Sequence, residues 1–391
     1  MGAGLLTGPG IRTTVFYMAI FMTMGAHVPF WPLWLEHWGL TAAEVGMFTA
    51  LGVGVRVVAG LVVPAAADRL DRRGAVMAAC LVASLLLFLA HRWIGDKAVL
   101  LAATLAVGAT LAGVGPLAEA LGVEASRLHG FPYAQSRGLG SLGFLAANLI
   151  VGALLARFGV GLALWWIVGC LAVAAILTAG HPGGGRASGA APPRLREIGG
   201  LIVNPVFALF LAAAAFGQAG HSVYFALASV HWLGLGLSEA RIGALWAASV
   251  AAEIVFMVTL GAWTVRRLGA VSALALSGAA GVLRWGAMMF DPVGWLLWPL
   301  QGLHAATFAA GHLGAMAFIS AAVPTRFGAA AQGAMGSMAV GLLLALGMAA
   351  AAALYPSLGG ATYGIGAILS ATGLGLSLLL ARRWHGGLLR D

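Results

Sequence analysis

The chain has 391 residues, of which 61% are hydrophobic and only 8% are charged, and its mean hydropathy is +0.97. Soluble domains carry about a quarter charged residues, so this composition excludes an ordinary water-soluble fold and predicts an all-α membrane protein. The formal net charge of +9 is explained by arginines in loops beside the membrane, and we expect no nucleic-acid partner.

Apolar runs long enough to cross the hydrocarbon core, roughly 20 residues each, predict twelve membrane-spanning helices. In chain order these spans are residues 11–36, 42–66, 74–94, 98–122, 134–157, 162–180, 203–232, 239–264, 270–290, 293–320, 328–354 and 361–382. We expect the first run to be a retained helix rather than a cleaved signal peptide. Cys80 and Cys170 lie inside apolar runs without metal-ligand spacing, so no metal site is expected.

A polar stretch rich in glycine and proline, residues 181–202, divides the chain. We therefore predict an N-terminal six-helix bundle over 1–180, a cytoplasmic linker over 181–202 and a C-terminal six-helix bundle over 203–391. The halves resemble each other, since Gly39–Gly46 matches Gly236–Gly243. Duplicated halves with a solute site between them are a transporter architecture, although a chance similarity of helix composition remains the alternative on this repeat alone.

Arginines concentrate in the loops on one side of the predicted spans. This side also carries both termini and the linker, and by the positive-inside rule it is cytoplasmic. The arginines there include Arg12, Arg69, Arg72, Arg73, Arg127, Arg266, Arg267, Arg326, Arg382 and Arg383. We expect a multi-pass protein of a cell inner (plasma) membrane, surrounded by the lipid bilayer, with both termini cytoplasmic.

The loop between spans 2 and 3 contains Asp68-Arg69-Leu70-Asp71-Arg72-Arg73-Gly74. This segment resembles the loop signature of the major facilitator superfamily, although Pro64 and Asp71 replace glycines of the pattern. The resemblance implies a twelve-helix fold of two pseudo-symmetric bundles and a gating role for Asp68 and Arg69. Arg56, which the repeat places opposite Glu253, is assigned to the same gating group. An ordinary positive-inside loop is the alternative.

Ionisable residues inside membrane spans are costly, so each is a candidate functional residue. The candidates are Arg56, Glu119, Arg137, Glu253 and Arg284, joined by His27, His221, His304 and His312. The three arginines and two glutamates leave one spare positive charge before any histidine is protonated. A site with that charge suits a monoanion.

The first half resembles the lactose permease branch of the superfamily, through Met24–Leu35 and through Glu119 followed by Arg137. The resemblance implies that Glu119 and Arg137 bind substrate, and we add His27 and Trp31 to this group. The alternative for Glu119 and Arg137 is a permanent ion pair that only locks two helices together.

The second half is more similar to the 3-phenylpropionate transporter family. The similar segments are Gly217–Tyr224, Ala252–Ile254, Val282–Gly286, Leu303–Phe308 and Gly311–Leu313. This resemblance adds Tyr224 and His304 to the predicted substrate-binding residues.

Span 10 carries Gln301, His304, Thr307, Phe308 and His312 at helical spacing, which predicts one shared face. Gln301 and Thr307 stand where the lactose permease has a lysine and its proton-carrying acid, so a proton must use another group. We assign proton coupling to Glu253, Arg284, His304 and His312, because a buried carboxylate beside cationic partners can switch its protonation. Glu119 is the competing proton carrier.

The sequence thus predicts a monomeric, non-enzymatic secondary transporter without a cofactor, which takes up a small organic acid such as an aromatic carboxylate together with a proton. A sugar or nucleoside symporter and a drug or metabolite exporter are the alternatives within transport. A membrane enzyme or receptor is disfavoured, because no zinc, nucleophile or phosphate-loop motif occurs.

Overall fold

A computed structural model describes residues 5–184 and 195–389, and the regular elements in these two ranges are all helical. The α-helices are α1 (Gly8–Trp38), α2 (Ala42–Arg69), α3 (Arg73–Ala90), α4 (Lys97–Ala112), α5 (Val114–His129), α6 (Tyr133–Phe158), α7 (Leu162–Thr178), α8 (Leu195–Val203), α9 (Pro205–Ala219), α10 (Ser222–Gly234), α11 (Glu239–Thr259), α12 (Gly261–Arg267), α13 (Ala270–Met288), α14 (Leu297–Gly302), α15 (Gly311–Ala322), α16 (Gly328–Met335), α17 (Leu343–Leu358) and α18 (Gly364–Arg383). Two π-helical segments, Ala305–Ala310 and Gly336–Leu342, interrupt this series. The 3₁₀ turns are His91–Trp93, Gly294–Leu296, Thr325–Phe327 and Gly359–Tyr363.

Each predicted span falls on helix within the described ranges. Within residues 5–184 and 195–389, ten helical segments are long and apolar enough to cross a membrane. The segment 330–383 is 54 residues long and covers two predicted spans, and Leu162–Thr178 is a shorter apolar helix. Some spans predicted as single helices are broken, at Gly113 between α4 and α5 and at Leu260 between α11 and α12. The predicted linker contains α8, and its residues 185–194 lie outside the described ranges.

Helix ends follow local chemistry. Thr7 caps α1 by accepting from the Gly10 N–H at 3.3 Å, and α1 stops at Gly39, whose φ of 117° is left-handed. A left-handed C-terminal residue is a usual helix stop because glycine has no Cβ to clash. Asp96 caps α4, and Asn204 followed by Pro205 begins α9. These caps position the ends of the long apolar helices.

The chain forms two compact units by its internal contacts. Unit 1 comprises residues 1–41, 51–189 and 232–247, and unit 2 comprises 42–50, 190–231 and 248–391. The predicted domain boundaries at 180 and 203 stay a prediction.

Small residues bring helices close together within each unit. In unit 1, a Cβ added at Gly25 of α1 would lie 2.6 Å from the Phe144 carbonyl oxygen of α6. In unit 2, one added at Gly278 of α13 would lie 2.8 Å from the Leu374 nitrogen of α18. Small residues at such crossings are how membrane helices obtain close van der Waals packing. The α13–α18 and α1–α6 contacts therefore hold the helices that carry Arg284 and Arg137.

Candidate functional sites

Glu119 of α5 and Arg137 of α6 form an ion pair in unit 1. The Arg137 Nε donates to Glu119 Oε1 at 2.5 Å, and the Tyr133 hydroxyl donates to Glu119 Oε2. The Glu119 and Arg137 side chains are 41% and 33% exposed, so the pair is accessible rather than sealed. A guanidinium has five N–H donors, and Arg137 also donates through Nη1 to Ser141 at 3.4 Å, which leaves its Nη2 for a further acceptor.

Aromatic rings of α1 cover the Arg137 guanidinium. Its carbon lies 4.2 Å from the ring centre of Phe21 and 5.9 Å from that of Tyr17. The Tyr17 hydroxyl donates to the Ala118 carbonyl at 3.0 Å, which fixes that ring beside α5. Cation–π contact and the ion pair together hold Arg137 in one orientation.

His27 and Trp31 belong to a different cluster of rings in unit 1. His27 stacks on Trp31 with centroids 6.1 Å apart, and Trp31 stacks on Trp34 at 4.5 Å. Phe88 and His91 pack edge-on against Trp31. Among the described residues, no contact joins His27 or Trp31 to the Glu119–Arg137 pair, so their substrate-binding role stays a prediction.

The predicted gating residues lie where α2 gives way to α3. Asp68 accepts from the Arg73 Nε at 2.6 Å, and the Asp68 side chain is half exposed. Arg69, the last residue of α2, is exposed. Asp71 has a left-handed φ of 51° in the turn that follows. The ion pair thus joins the end of α2 to Arg73, the first residue of α3. The partner of Asp68 in this pair is Arg73 rather than Arg69.

Arg56 lies half-buried within α2. Its Nε is buried and has no hydrogen-bond partner within the described ranges. A buried guanidinium donor without an acceptor costs free energy. Its assignment to gating stays a prediction.

Arg284 of α13 is fully buried in unit 2. Its Nη1 donates to His304 Nδ1 at 3.0 Å and to Thr307 Oγ1 at 3.2 Å, and its Nη2 donates to Gln301 Oε1 at 3.0 Å. In the described part of the chain no carboxylate lies within ion-pair distance of this guanidinium. Arg284 is therefore a buried cation held by neutral acceptors.

Two rings and a hydroxyl complete the surroundings of Arg284. Its guanidinium carbon lies 4.9 Å from the ring centre of Tyr224 and 4.4 Å from that of Trp285. Ser249 donates to Gln301 Oε1 at 2.8 Å and lies 3.2 Å from the Tyr224 hydroxyl. Tyr224 and His304, both predicted substrate-binding residues, are thus brought to the same cluster.

The hydrogen bonds assign the protons of two histidines. Arginine only donates, so His304 Nδ1 accepts and the ring carries its proton on Nε2. His221 Nδ1 lies 3.0 Å from the Gln218 carbonyl oxygen, which only accepts, and His221 Nε2 lies 3.1 Å from the Thr307 hydroxyl. A neutral ring satisfies each of these bonds. The cluster therefore carries the charge of Arg284 without help from the histidines.

Glu253 of α11 contacts this cluster through His304. The Glu253 Oε2 lies 3.6 Å from His304 Nε2, the nitrogen that carries the proton. Glu253 is 21% exposed, whereas the His304 side chain is 6% exposed. The imidazole therefore stands between the carboxylate and Arg284, and three of the residues predicted to couple protons lie together.

A π-helical segment, Ala305–Ala310, carries Thr307 and Phe308. Its wider turn frees a carbonyl, and Ser277 of α13 donates to the Thr307 carbonyl oxygen at 2.6 Å. The five residues predicted to share a face were placed with α-helical spacing, which the π turn changes. Gln301, His304 and Thr307 are buried in the cluster and Phe308 stacks on His304, whereas His312 beyond the π segment is exposed.

Several contacts of these sites were missed by sequence reasoning. Tyr133 and Ser249 were not predicted as site residues, and Gln301 and Thr307 were read as departures from a pattern. Polarity inside a span is the signal that marks Ser249, Gln301 and Thr307.

A family profile and two curated proteins match this sequence over most of its length. The profile described as "MFS_1 like family" matches residues 11–363. The probable 3-phenylpropionic acid transporter of Escherichia coli (strain K12) is 28% identical over 319 residues, covering 78% of this chain and 80% of that protein. The maltose permease of Geobacillus stearothermophilus is 29% identical over 307 residues, covering 76% of each.

Solved structures share the fold. A crystal structure of a mutant of the nucleoside transporter NupG matches with a TM-score of 0.80 at 16% identity, covering 96% of this chain and 99% of that one. At that identity the likeness concerns the fold alone. The expected membrane-transporter fold is confirmed.

Proposed function

We propose that this chain, which belongs to the MFS_1 like family of the major facilitator superfamily, takes up a small aromatic carboxylate together with a proton by alternating access. The match to this family and to two curated transporters shows a multi-span membrane transporter. The solute, the proton and the direction of transport are the proposal.

The observation that carries the proposal is the buried charge of Arg284. Its hydrogen-bond partners in the described part of the chain are neutral, and its Nε has none. A buried cation is expensive unless an anion compensates it. A monoanionic solute supplies that charge, and the Tyr224 and Trp285 rings beside the guanidinium suit an aromatic solute.

Proton coupling is assigned to Glu253, with His304 and Arg284 as its partners. A proton on Glu253 removes the carboxylate that His304 faces, and a proton leaving Glu253 restores it. The charge seen by Arg284 therefore depends on Glu253, which links protonation to solute binding. His312 stays a predicted fourth member of this group.

A neutral sugar-like solute is the second candidate. Glu119 and Arg137 neutralise each other and present a tyrosine hydroxyl and a free guanidinium edge, which suits hydroxyl groups. One relative is a maltose permease. Thermal-shift measurements with 3-phenylpropionate, maltose and a nucleoside separate the candidates, since a bound ligand stabilises the folded protein.

Glu253→Gln tests the coupling in proteoliposomes. The glutamine imitates the protonated acid, so we expect the variant to exchange 3-phenylpropionate across the membrane but not to accumulate it against a gradient. Glu239→Gln, at the start of the same helix, is the matched control and should accumulate normally. Full proton-driven accumulation by Glu253→Gln would exclude the assignment and favour Glu119.

A further inference from the structure

A second group of polar side chains lies at the ends of three helices of unit 2. His231 of α10 is buried, with Nε2 3.0 Å from Asp291 Oδ1 and Nδ1 2.9 Å from the Tyr355 hydroxyl. Asp291 follows α13, Tyr355 is in α17, and the Asp291 side chain is 43% exposed. A carboxylate that water reaches is therefore hydrogen-bonded to a histidine that water does not reach.

The backbone turn at Asp291 and the glycine beside it fix the position of the Asp291 carboxylate. The Asp291 φ of 48° is left-handed, an uncommon conformation for most residues with a side chain. Its carboxylate lies against Gly360, where any Cβ would overlap it. The left-handed turn and the absence of a side chain at Gly360 together leave room for the carboxylate beside His231.

Buried polar atoms lie between this group and Arg284. The Tyr363 ring is 6.0 Å from His231 and stacks on Trp285 at 6.1 Å, and Trp285 lies beside the Arg284 guanidinium. Within the described ranges, the Tyr363 hydroxyl, Trp285 Nε1, Ser370 Oγ and Arg284 Nε have no hydrogen-bond partner. Ser370 Oγ and Trp285 Nε1 both lie beside Gly220, which has no side chain to fill the space.

More than about 90% of buried polar groups in proteins are hydrogen-bonded once ordered water is counted, so we expect these four atoms to bond to water. Buried water typically satisfies groups of this kind with two to four hydrogen bonds each. Hydroxyl groups and water can relay protons because each both accepts and donates, whereas the Trp285 and Arg284 N–H groups only donate and can hold such water in place. Such a path starts at His231 and ends at the cluster that contains His304 and Glu253.

We propose that Asp291 and His231 form a proton-loading site of unit 2, from which protons pass through the hydroxyl groups of Tyr355 and Tyr363 and through buried water held by the Trp285 and Arg284 N–H groups to Glu253. The proposal rests on the proton coupling assigned to Glu253 above. A proton from water binds the Asp291 carboxylate and is passed to His231 Nε2, while the imidazole releases the proton of Nδ1 to the Tyr355 oxygen. Tyr355 in turn gives up its own hydroxyl proton towards the interior. Each group keeps its number of protons, but the imidazole proton has moved from Nδ1 to Nε2, so the ring must return to its first tautomer before the next proton is loaded.

The charged and titratable groups facing His231 are few. Asp291 and Tyr355 bond to it and Tyr363 packs on its ring. Arg284 and Tyr224 lie beyond Tyr363 and interact with it electrostatically. The Asp291 carboxylate is the acidic group of this set, so it is the one through which a proton from solution is loaded.

Time-resolved infrared spectroscopy after a pH jump tests the path without any solute. Purified protein in lipid nanodiscs should show a carboxylic-acid C=O band that Glu253→Gln removes. We expect Asp291→Asn to slow the appearance of this band about a hundredfold, at the lower end of what a positioned proton-transfer group contributes. Asp291→Glu should restore the rate. Asp96→Asn, an exposed helix cap in unit 1 that asparagine also caps, should leave it unchanged.

Each other outcome contradicts the path. A wild-type rate in Asp291→Asn, with or without a lower melting temperature, reduces the His231–Asp291 pair to a structural link between helix ends. Absence of a Glu253 band overturns the end point of the path. Neither result decides proton-driven accumulation of solute by Glu253→Gln, which tests the proposed function separately.

Discussion

Arg137 in unit 1 and Arg284 in unit 2 are the same residue in opposite electrostatic settings. Arg137 is one third exposed and neutralised directly by Glu119. Arg284 is fully buried. His304 contacts both Arg284 and Glu253 and lies between them. The difference teaches that the pair in unit 1 can exchange its partner for a solute, whereas the charge in unit 2 is balanced only when Glu253 or a solute is anionic.

The largest effect is expected for Arg137→Lys. Lysine offers a point charge without the planar fork, so it cannot keep the Glu119 bond, the Ser141 bond and a solute contact together. We expect uptake of 3-phenylpropionate to fall about a hundredfold, equivalent to roughly 2.7 kcal/mol, with little change in melting temperature. Arg157→Lys, an exposed arginine of the same helix, is the control.

Glu119→Gln distinguishes the two roles considered for Glu119 and Arg137, solute binding and a purely structural ion pair. A solute-binding role predicts weaker binding with an intact fold. Normal transport per folded molecule, together with a lower melting temperature, would support a permanent ion pair that only joins α5 to α6.

The next effect is on stability in unit 2. Gln301→Leu removes the acceptor of both Arg284 Nη2 and Ser249, and leaving a buried charged donor unpaired costs about 1–3 kcal/mol. The melting temperature should fall by several degrees. Ser141→Ala in unit 1 removes a hydrogen bond to the accessible Arg137 and should change the melting temperature little. Equal falls in melting temperature for the two variants would contradict the contrast between the two arginine sites.

A smaller effect is expected for Asp68→Asn. The variant weakens the ion pair with Arg73 between α2 and α3 but touches neither arginine site. Solute affinity should stay within about twofold while turnover slows severalfold, because the loop acts on the equilibrium between conformations. Binding by thermal shift and transport in proteoliposomes measure the two quantities. Lost affinity with unchanged turnover would contradict a gating role.

The smallest effect appears only in acid. Burial, and then the nearby Arg12, lower the pKa of His181 beyond the end of α7 to about 4. Its Nδ1 accepts from the Gly183 N–H at 3.1 Å, which requires the unprotonated ring. A lowered pKa in a base means that the unfolded chain binds the proton first, so this stability is complete above about pH 6.5 and is lost as the pH falls towards 4.

Melting curves between pH 4 and 7 test this sign. The wild-type melting temperature should decline by a few degrees more than that of His181→Gln, whose side chain does not titrate. Parallel declines in the two proteins would show that other groups cause the acid sensitivity.

The sequence predicts the membrane fold because apolar length and loop charge act over whole segments. Glu119 and Arg137 were also predictable, since an acid and an arginine inside spans need each other. The breaks at Gly113 and Leu260 were not, because hydropathy averages over a turn and does not sense one lost hydrogen bond. His231 lies within the predicted span 203–232 but was not counted among the candidates, and its partner Asp291 lies outside the spans, where an acid has no unusual cost.

The π segment Ala305–Ala310 places a spare residue in the helix between α14 and α15. An α-helix turns about 100° per residue, so closing this segment to α-helical form would twist α15 about its axis by that amount relative to α14. Gly311 is pressed onto Ser277, where a Cβ would lie 2.7 Å from the hydroxyl oxygen, and the Thr307 carbonyl would be withdrawn from the same hydroxyl. Ser277 therefore contacts the π segment and the residue after it, at Thr307 and Gly311, and we expect Ser277→Ala to remove the hydrogen bond that favours the π form over the α-helical form.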